Sequence, residues 1–263
     1  MKSNHPVLNF FYKATDILLP PRCCVTGEIV SDDGMITPES WTQVDFINAP
    51  YCMICGVPFP YEDADHDSKQ VCGACIKTPP QYDIGRAAVA YNEMTRRILL
   101  QFKYGDQLHI ADTLAKWLYQ SAESEIKDAD CIVPVPLHWR RMVYRRYNQS
   151  ALIAQSLAKV SGTPVVHALK RTRYSGPQKG LGRKARLKNV RLAFGLSVPK
   201  EQLDGKRIVL IDDVMTSGAT LNACSKTLKT AEPDKVTALC VARVLDDYEF
   251  KPDTNIPAEP LVY

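Results

Sequence analysis

The sequence predicts an α/β fold, a parallel sheet with helices on both faces and a small cysteine-rich module ahead of it. Three observations predict it. Val209-Leu210-Ile211 is a short apolar run without alternation, the pattern of a strand buried on both faces. It runs through Asp212 and Asp213 into a turn of small residues, and then into a helical pattern with Leu221, Cys224 and Leu228 on one face. Further apolar runs at residues 87–91, 130–136 and 236–244 are separated by helical periodicity, the rhythm of parallel crossovers.

At 263 residues the chain has room for one large domain or two modest ones. No apolar run reaches membrane-spanning length, so no membrane span is expected. Residues 7–19 are apolar but interrupted by Asn9, Lys13, Thr15 and Asp16, and no small-residue cleavage site follows. The expectation is an amphipathic helix rather than a signal peptide, and a cytoplasmic chain.

Cys52, Cys55, Cys72 and Cys75 form C-x2-C-x16-C-x2-C, the spacing of two knuckles that close a tetrahedral thiolate site. The reading is structural zinc that holds a small module together rather than a catalytic metal. Two disulfides would need an oxidising compartment, for which the sequence carries no signal. An earlier segment repeats the spacing with hydroxyls in place of thiols, at Cys23, Thr26, Thr37 and Ser40. Hydroxyls are poor zinc ligands, so no metal is expected there. Cys24 reads as a buried hydrophobe.

A strand is expected at residues 87–91 and a helix at 93–102, followed by a loop Lys103-Tyr104-Gly105-Asp106. Lys103 is either a solvated loop charge or a ligand contact. A second helix is expected at 108–121, with Ile110, Leu114, Trp117 and Leu118 inward. Residues 130–136 read as a central strand ending in a loop stiffened by Pro134 and Pro136. Arg140, Arg141, Arg145 and Arg146 follow, interleaved with Trp139, Tyr144 and Tyr147, and then a helix at 150–161. Arginines at a strand's carboxyl end suit bidentate phosphate contacts. The aromatics are either core or a stacking platform for single-stranded nucleic acid.

Charge is distributed unevenly. Residues 131–200 hold fifteen Lys or Arg and no Asp or Glu, while the whole chain has a net charge of +4. A long stretch of one sign points to an anionic partner, a polyphosphate ligand or nucleic acid. Within it a strand is expected at 163–168, then a Gly- and Pro-rich loop that reads as mobile. Residues 246–263 are acidic and Pro-rich and read as a tail.

The chemistry centres on residues 212–220. Thr216, Ser217, Gly218, Ala219 and Thr220 turn the chain into a helix, where backbone N–H groups and the helix dipole favour a phosphate. No lysine stands where a Walker loop has one. Asp212 and Asp213 would repel a bare polyphosphate, but they can accept hydrogen bonds from sugar hydroxyls. A ligand with a 5-phosphate and free ribose hydroxyls satisfies both halves.

This strand–Asp–Asp–x–x–Thr–x–Gly–x–Thr pattern resembles the signature of type I phosphoribosyltransferases, whose donor is 5-phosphoribosyl 1-pyrophosphate (PRPP). The knuckles, the Pro-Val-Pro-Leu stretch with Arg-Arg-x-x-x-Arg-Arg-x-Asn-Gln, and the Asp-Asp loop occur in the order found in the ComF/GntX family of competence proteins. The resemblance covers roughly residues 18–244. Members often carry four Cys pairs; this chain departs at the first two.

The resemblance implies a type I phosphoribosyltransferase fold at residues 86–245, after an N-terminal helix and zinc-ribbon module at 1–85. It implies that Asp212 and Asp213 grip the ribose, that residues 216–220 hold the 5-phosphate, and that Pro136, Arg140, Arg141 and Lys103 face the donor. Gln178, Arg183, Arg186 and Asn189 would belong to a flexible loop closing over PRPP, with Gly182 where the family usually has Ser. Magnesium would accompany PRPP. The acceptor stays open. So does the choice between a transferase and a non-catalytic factor that handles single-stranded DNA with the DNA-uptake machinery.

Overall fold

The computed structural model describes residues 20–32, 34–59, 70–104, 107–137, 147–172 and 193–245. A four-stranded parallel sheet organises them, in the order β1-β6-β5-β2. The strands are β1 Ile84–Ala90, β2 Cys131–Pro134, β5 Arg207–Met215 and β6 Lys235–Arg243. A two-stranded antiparallel ribbon, β3 Leu169–Arg171 with β4 Phe194–Leu196, lies apart from the sheet.

Two central strands are buried on both faces, which is why their sequences do not alternate. Val209, Ile211, Leu239 and Val241 face one core. Ile208, Leu210, Ala238 and Cys240 face the other. Each large aliphatic side chain so buried contributes about 1.5–3 kcal/mol.

The first core is covered by helices α3 Glu93–Tyr104, α4 Ile110–Ser121, α5 Glu123–Lys127 and α6 Gln149–Ser161. Ile98, Phe102, Leu114, Leu118, Ile153 and Leu157 are all at or near zero exposure there. Trp117 is inward as well, edge-on to Phe46 with ring centroids 5.4 Å apart. The second core is covered by α7 Ala219–Leu228, by the β3-β4 ribbon, and by the cysteine module with Tyr82. Helices therefore lie on both faces of a parallel sheet, with a four-cysteine module beside it.

The N-terminal residues straddle the outer edge of the sheet. Helix α1 Pro38–Trp41 belongs to the first repeat, whose Cys24 and Val44 join the first core. Helix α2 Gly73–Lys77 belongs to the second repeat, whose Cys52, Cys55 and Cys75 join the second core. Between them residues 45–47 run antiparallel along β1. Ile47 N–H donates to Ala88 O at 2.9 Å, and Ala90 N–H donates to Asp45 O at 2.8 Å.

Several elements differ from expectation, beginning with β1, which starts at Ile84 and ends at Ala90 where 87–91 is expected. Helix α3 runs two residues further and carries Lys103 in its last turn instead of in a loop. Phe102 is fully buried and pulls that turn onto the core. Asp212 and Asp213 lie inside β5, which continues to Met215 because β6 pairs with it that far. The strand expected at 163–168 is reduced to one bridge between Val165 and Ile132, since only Pro164 O and Val166 N–H bond to Ile132.

Candidate ligand site and metal centre

Asp212 and Asp213 are neighbours near the end of β5, and each carboxylate has its own partners. Asp212 Oδ1 accepts from Ser150 Oγ at 3.1 Å and from the Asp213 N–H at 2.9 Å. Asp213 Oδ2 lies 2.6 Å from Lys103 Nζ, and its Oδ1 accepts from the Val214 N–H at 2.7 Å. Burial pushes the Asp212 carboxyl up to about 7, and the neighbouring Asp213 charge adds to the rise. The Asp213 N–H, Ser150 and the Lys103 charge act the other way.

Both partners are held by their elements. Ser150 sits in the first turn of α6, capped by Asn148, whose Oδ1 accepts from the Ser150 N–H at 3.1 Å. Asn148 Nδ2 donates to Val135 O at 3.0 Å, which ties the loop after β2 to the same helix start. Pro136 lies in that loop, half-buried. Lys103 is steadied from below, because Tyr147 Oη donates to Phe102 O at 2.9 Å.

Beyond Met215 the chain turns through Thr216, Ser217 and Gly218 into α7. Gly218 has φ +70°, a left-handed conformation that glycine adopts without strain. A glycine cap places no side chain over the helix start, whose first amides have no intrahelical partner. Thr216 and Ser217 are exposed; Gly218, Ala219 and Thr220 are half-buried. The turn forms one wall of a cleft of about 790 Å³. The opposite wall comes from the cysteine module and the chain after it, including Cys55, Cys72, Cys75, Lys77 and Tyr82. Asp212 and Asp213 do not line this cleft.

The structure thus brings together Asp212, Asp213, Lys103 and Ser150, while the helix-start turn that follows them in the chain lines the separate cleft. Arg140, Arg141, Gln178, Arg183, Arg186 and Asn189 lie outside the described residues, as do Trp139 and Tyr144. Ser150 and Asn148 escaped the sequence reading as site residues. The signal was present, since an Asn two residues before Ser at a helix start is a cap.

The ligand atoms of Cys52, Cys55, Cys72 and Cys75 all lie within 4.8 Å of one another. Four sulfurs at about 2.3 Å from a tetrahedral Zn²⁺ stand roughly 3.8 Å apart, so the cluster fits zinc. Cys55 and Cys72 sulfurs are 3.7 Å apart, and the Cys72 N–H donates to Cys52 Sγ at 3.3 Å. Burial opposes ionisation of Cys52, but N–H groups of Cys55, Cys72 and Ile54 outweigh it and bring the thiol down to about 6. Burial pushes the Cys55 and Cys75 thiols up, so a metal bound by all four sulfurs must displace protons from these two.

The first repeat holds its four positions together by hydrogen bonds. Thr37 Oγ1 donates to Ser40 Oγ at 3.0 Å, and the Ser40 N–H donates back to Thr37 Oγ1 at 3.4 Å. Burial works against ionisation of Cys23, yet the Thr26 hydroxyl and N–H groups of Thr26, Val25 and Thr37 lower it. Cys24 is buried, as a small hydrophobe is.

Residues 14–76 match a double zinc ribbon domain, and residues 148–257 match a phosphoribosyl transferase domain. The chain is 34% identical over 210 residues to competence protein F of Haemophilus influenzae, across 78% of this chain and 89% of that protein. It is 30% identical over 200 residues to DNA utilization protein YhgH of Escherichia coli strain K12, across 74% of this chain and 84% of that protein. It is 25% identical over 201 residues to competence protein ComFC of Bacillus subtilis, across 76% and 80%.

Proposed function

Since the chain belongs to the ComF family of competence proteins, we propose that it binds PRPP at the carboxyl end of β5 and transfers its phosphoribosyl group. One observation carries this reading. Two carboxylates held by different partners stand on the strand that leads directly into a glycine-capped helix start. The carboxylates suit ribose hydroxyls, and the helix start suits the 5-phosphate.

In this reading Asp212 and Asp213 fix the ribose, and the turn from Thr216 to Thr220 anchors the phosphate. Lys103 lies beside the acid pair, where a cation can reach the donor's pyrophosphate. Pro136 and the loop after β2, with Arg140 and Arg141, face that pyrophosphate. Gln178, Arg183, Arg186 and Asn189 cover the donor. Transfer passes through a cationic sugar, so the protein's work is to orient the donor, stabilise the departing pyrophosphate and exclude water. Magnesium would neutralise pyrophosphate charge next to the acid pair. The reading carries with it a cytoplasmic location.

Calorimetry with PRPP, in the presence and absence of magnesium, tests it. The parent chain binds, and the double substitution Asp212→Asn, Asp213→Asn does not. Equal binding by both removes the site assignment.

A second reading is favoured by the fifteen basic residues and no acidic ones between 131 and 200. A stretch of that charge suits single-stranded DNA, and the relatives' names tie them to competence and DNA utilization. Affinity for a single strand should then fall steeply with salt; a slope near zero overturns an electrostatic groove.

A further inference from the structure

Arg243 closes β6 and stands between the cysteine cluster and the ligand turn. Its Cα is in register with Met215, and the Val244 N–H donates to Met215 O at 2.9 Å. Met215 is the residue immediately before the turn. The Arg243 side chain crosses to the ribbon. Nη1 donates to Cys55 O at 2.5 Å and reaches Met215 Sδ at 3.4 Å, and Nη2 lies 3.8 Å from Cys55 Sγ. One guanidinium therefore touches a zinc-ligating cysteine and the residue that launches the phosphate turn.

The ribbon end of this link is stiff. The Gly85 N–H donates to Ile54 O at 2.6 Å, and Arg86 Nη1 donates to Met53 O at 3.2 Å. A Cβ added at Gly56 would come within 2.4 Å of Gly85 O, so this knuckle lies in direct backbone contact with β1. Four thiolates around one Zn²⁺ leave a net charge of about −2, and a guanidinium beside one of the sulfurs offsets part of it. Zinc fixes the position of Cys55, which fixes Arg243, which confines Met215. A phosphorylated pentose held by the turn would order Thr216 to Gly218, and through them the adjoining Met215. Two ligands that order one element favour each other, by equal factors in both directions.

We propose that Arg243 couples the zinc ribbon to the phosphate turn, so that bound zinc raises affinity for a 5-phosphorylated pentose and the bound pentose slows zinc loss. Arg243 is then a positioning residue. The proposal rests on the reading of the turn as a PRPP site and adds a regulatory link to it.

The test measures zinc transfer from the zinc-loaded full chain to a chromophoric chelator, with and without saturating PRPP and magnesium. Calorimetry on the same preparation measures PRPP binding. In the parent chain PRPP slows zinc release, and at equilibrium it shifts the division of zinc between protein and chelator toward the protein by about fivefold or more. In Arg243→Met the two rates converge although zinc is still loaded. Arg243→Lys, which keeps the charge but loses the fork, falls between them and serves if the methionine variant does not fold. PRPP binding with no slowing in the parent overturns the coupling alone. Full slowing in Arg243→Met overturns the role of Arg243. Absence of PRPP binding overturns the underlying reading and the coupling together.

Discussion

Lys103 and Asp213, 110 positions apart in sequence, meet with Nζ 2.6 Å from Oδ2, their side chains only 18% and 17% exposed. The pair ties the last turn of α3 to the end of β5, and it makes the two adjacent carboxylates unequal. Asp213 has a cation; Asp212 has a hydroxyl and an amide.

Removing the cation should therefore cost stability. Lys103→Met is expected to destabilise by about 1–3 kcal/mol, between the cost of breaking an exposed pair and a buried one. For a chain of this size that is a fall in Tm of roughly 3–8 °C. Asp213→Asn in the Lys103→Met background should cost less than it does alone, since the pair is already broken. Additive losses would mean that the contact contributes nothing.

Asp212 gives the stability a pH dependence of definite sign. Burial and then the Asp213 charge raise its folded value to about 7, well above an ordinary aspartate. Between about pH 4 and 7 the folded chain holds a proton that the unfolded chain has released. This contribution therefore falls as pH rises through that window and levels off above it. Urea midpoints from pH 4.5 to 8 should show a slope that Asp212→Asn removes. Ser150→Ala withdraws a hydrogen bond to the ionised form and should move the upper end of the window to higher pH.

Gly218→Ala isolates backbone strain from crowding. Space for the new methyl exists, since the nearest atom to it would be Asn222 Nδ2 at 3.7 Å. The φ of +70° makes the substitution cost about 1 kcal/mol in the folded chain. PRPP affinity should fall by about tenfold or more, because relaxing the turn redirects its amides. Tm and calorimetry read the two effects separately.

Zinc content discriminates between the two cysteine repeats. Atomic emission on the purified chain should give one zinc per chain, and Cys72→Ser should abolish it. Cys23→Ala should leave the count unchanged and lower Tm modestly, since it disturbs a hydrogen-bonded cluster rather than a metal. A second equivalent of zinc lost with Cys23 would contradict this.

The parts of this molecule that were legible in sequence are those written in consecutive residues. The unbroken run through Val209 and Ile211 announced a strand covered on both faces, and Leu221, Cys224 and Leu228 announced the helix that covers one of them. Cysteine spacing announced the ribbon, and the Asp-Asp turn announced the place to look for a ligand. What stayed hidden depends on contacts between distant residues. Nothing near Lys103 says that Asp213 is its partner. Lys103 is expected in a loop after a helix ending at 102, whereas burial of Phe102 carries the helix on to Tyr104. Arg243 reads locally as a strand end, and only the parallel register with Met215 shows what it touches.

Residues 45–47, laid antiparallel along β1, have a consequence for anyone who divides this protein. They occupy the outward-facing amides and carbonyls of a border strand that would otherwise be a template for pairing with another molecule. A fragment starting at residue 86 would bare that row, together with the apolar side chains of Val89 and Trp117 beneath it. Self-association and poor recovery are the expected fate of such a fragment, whereas one that keeps the chain from residue 20 onward retains its own seal.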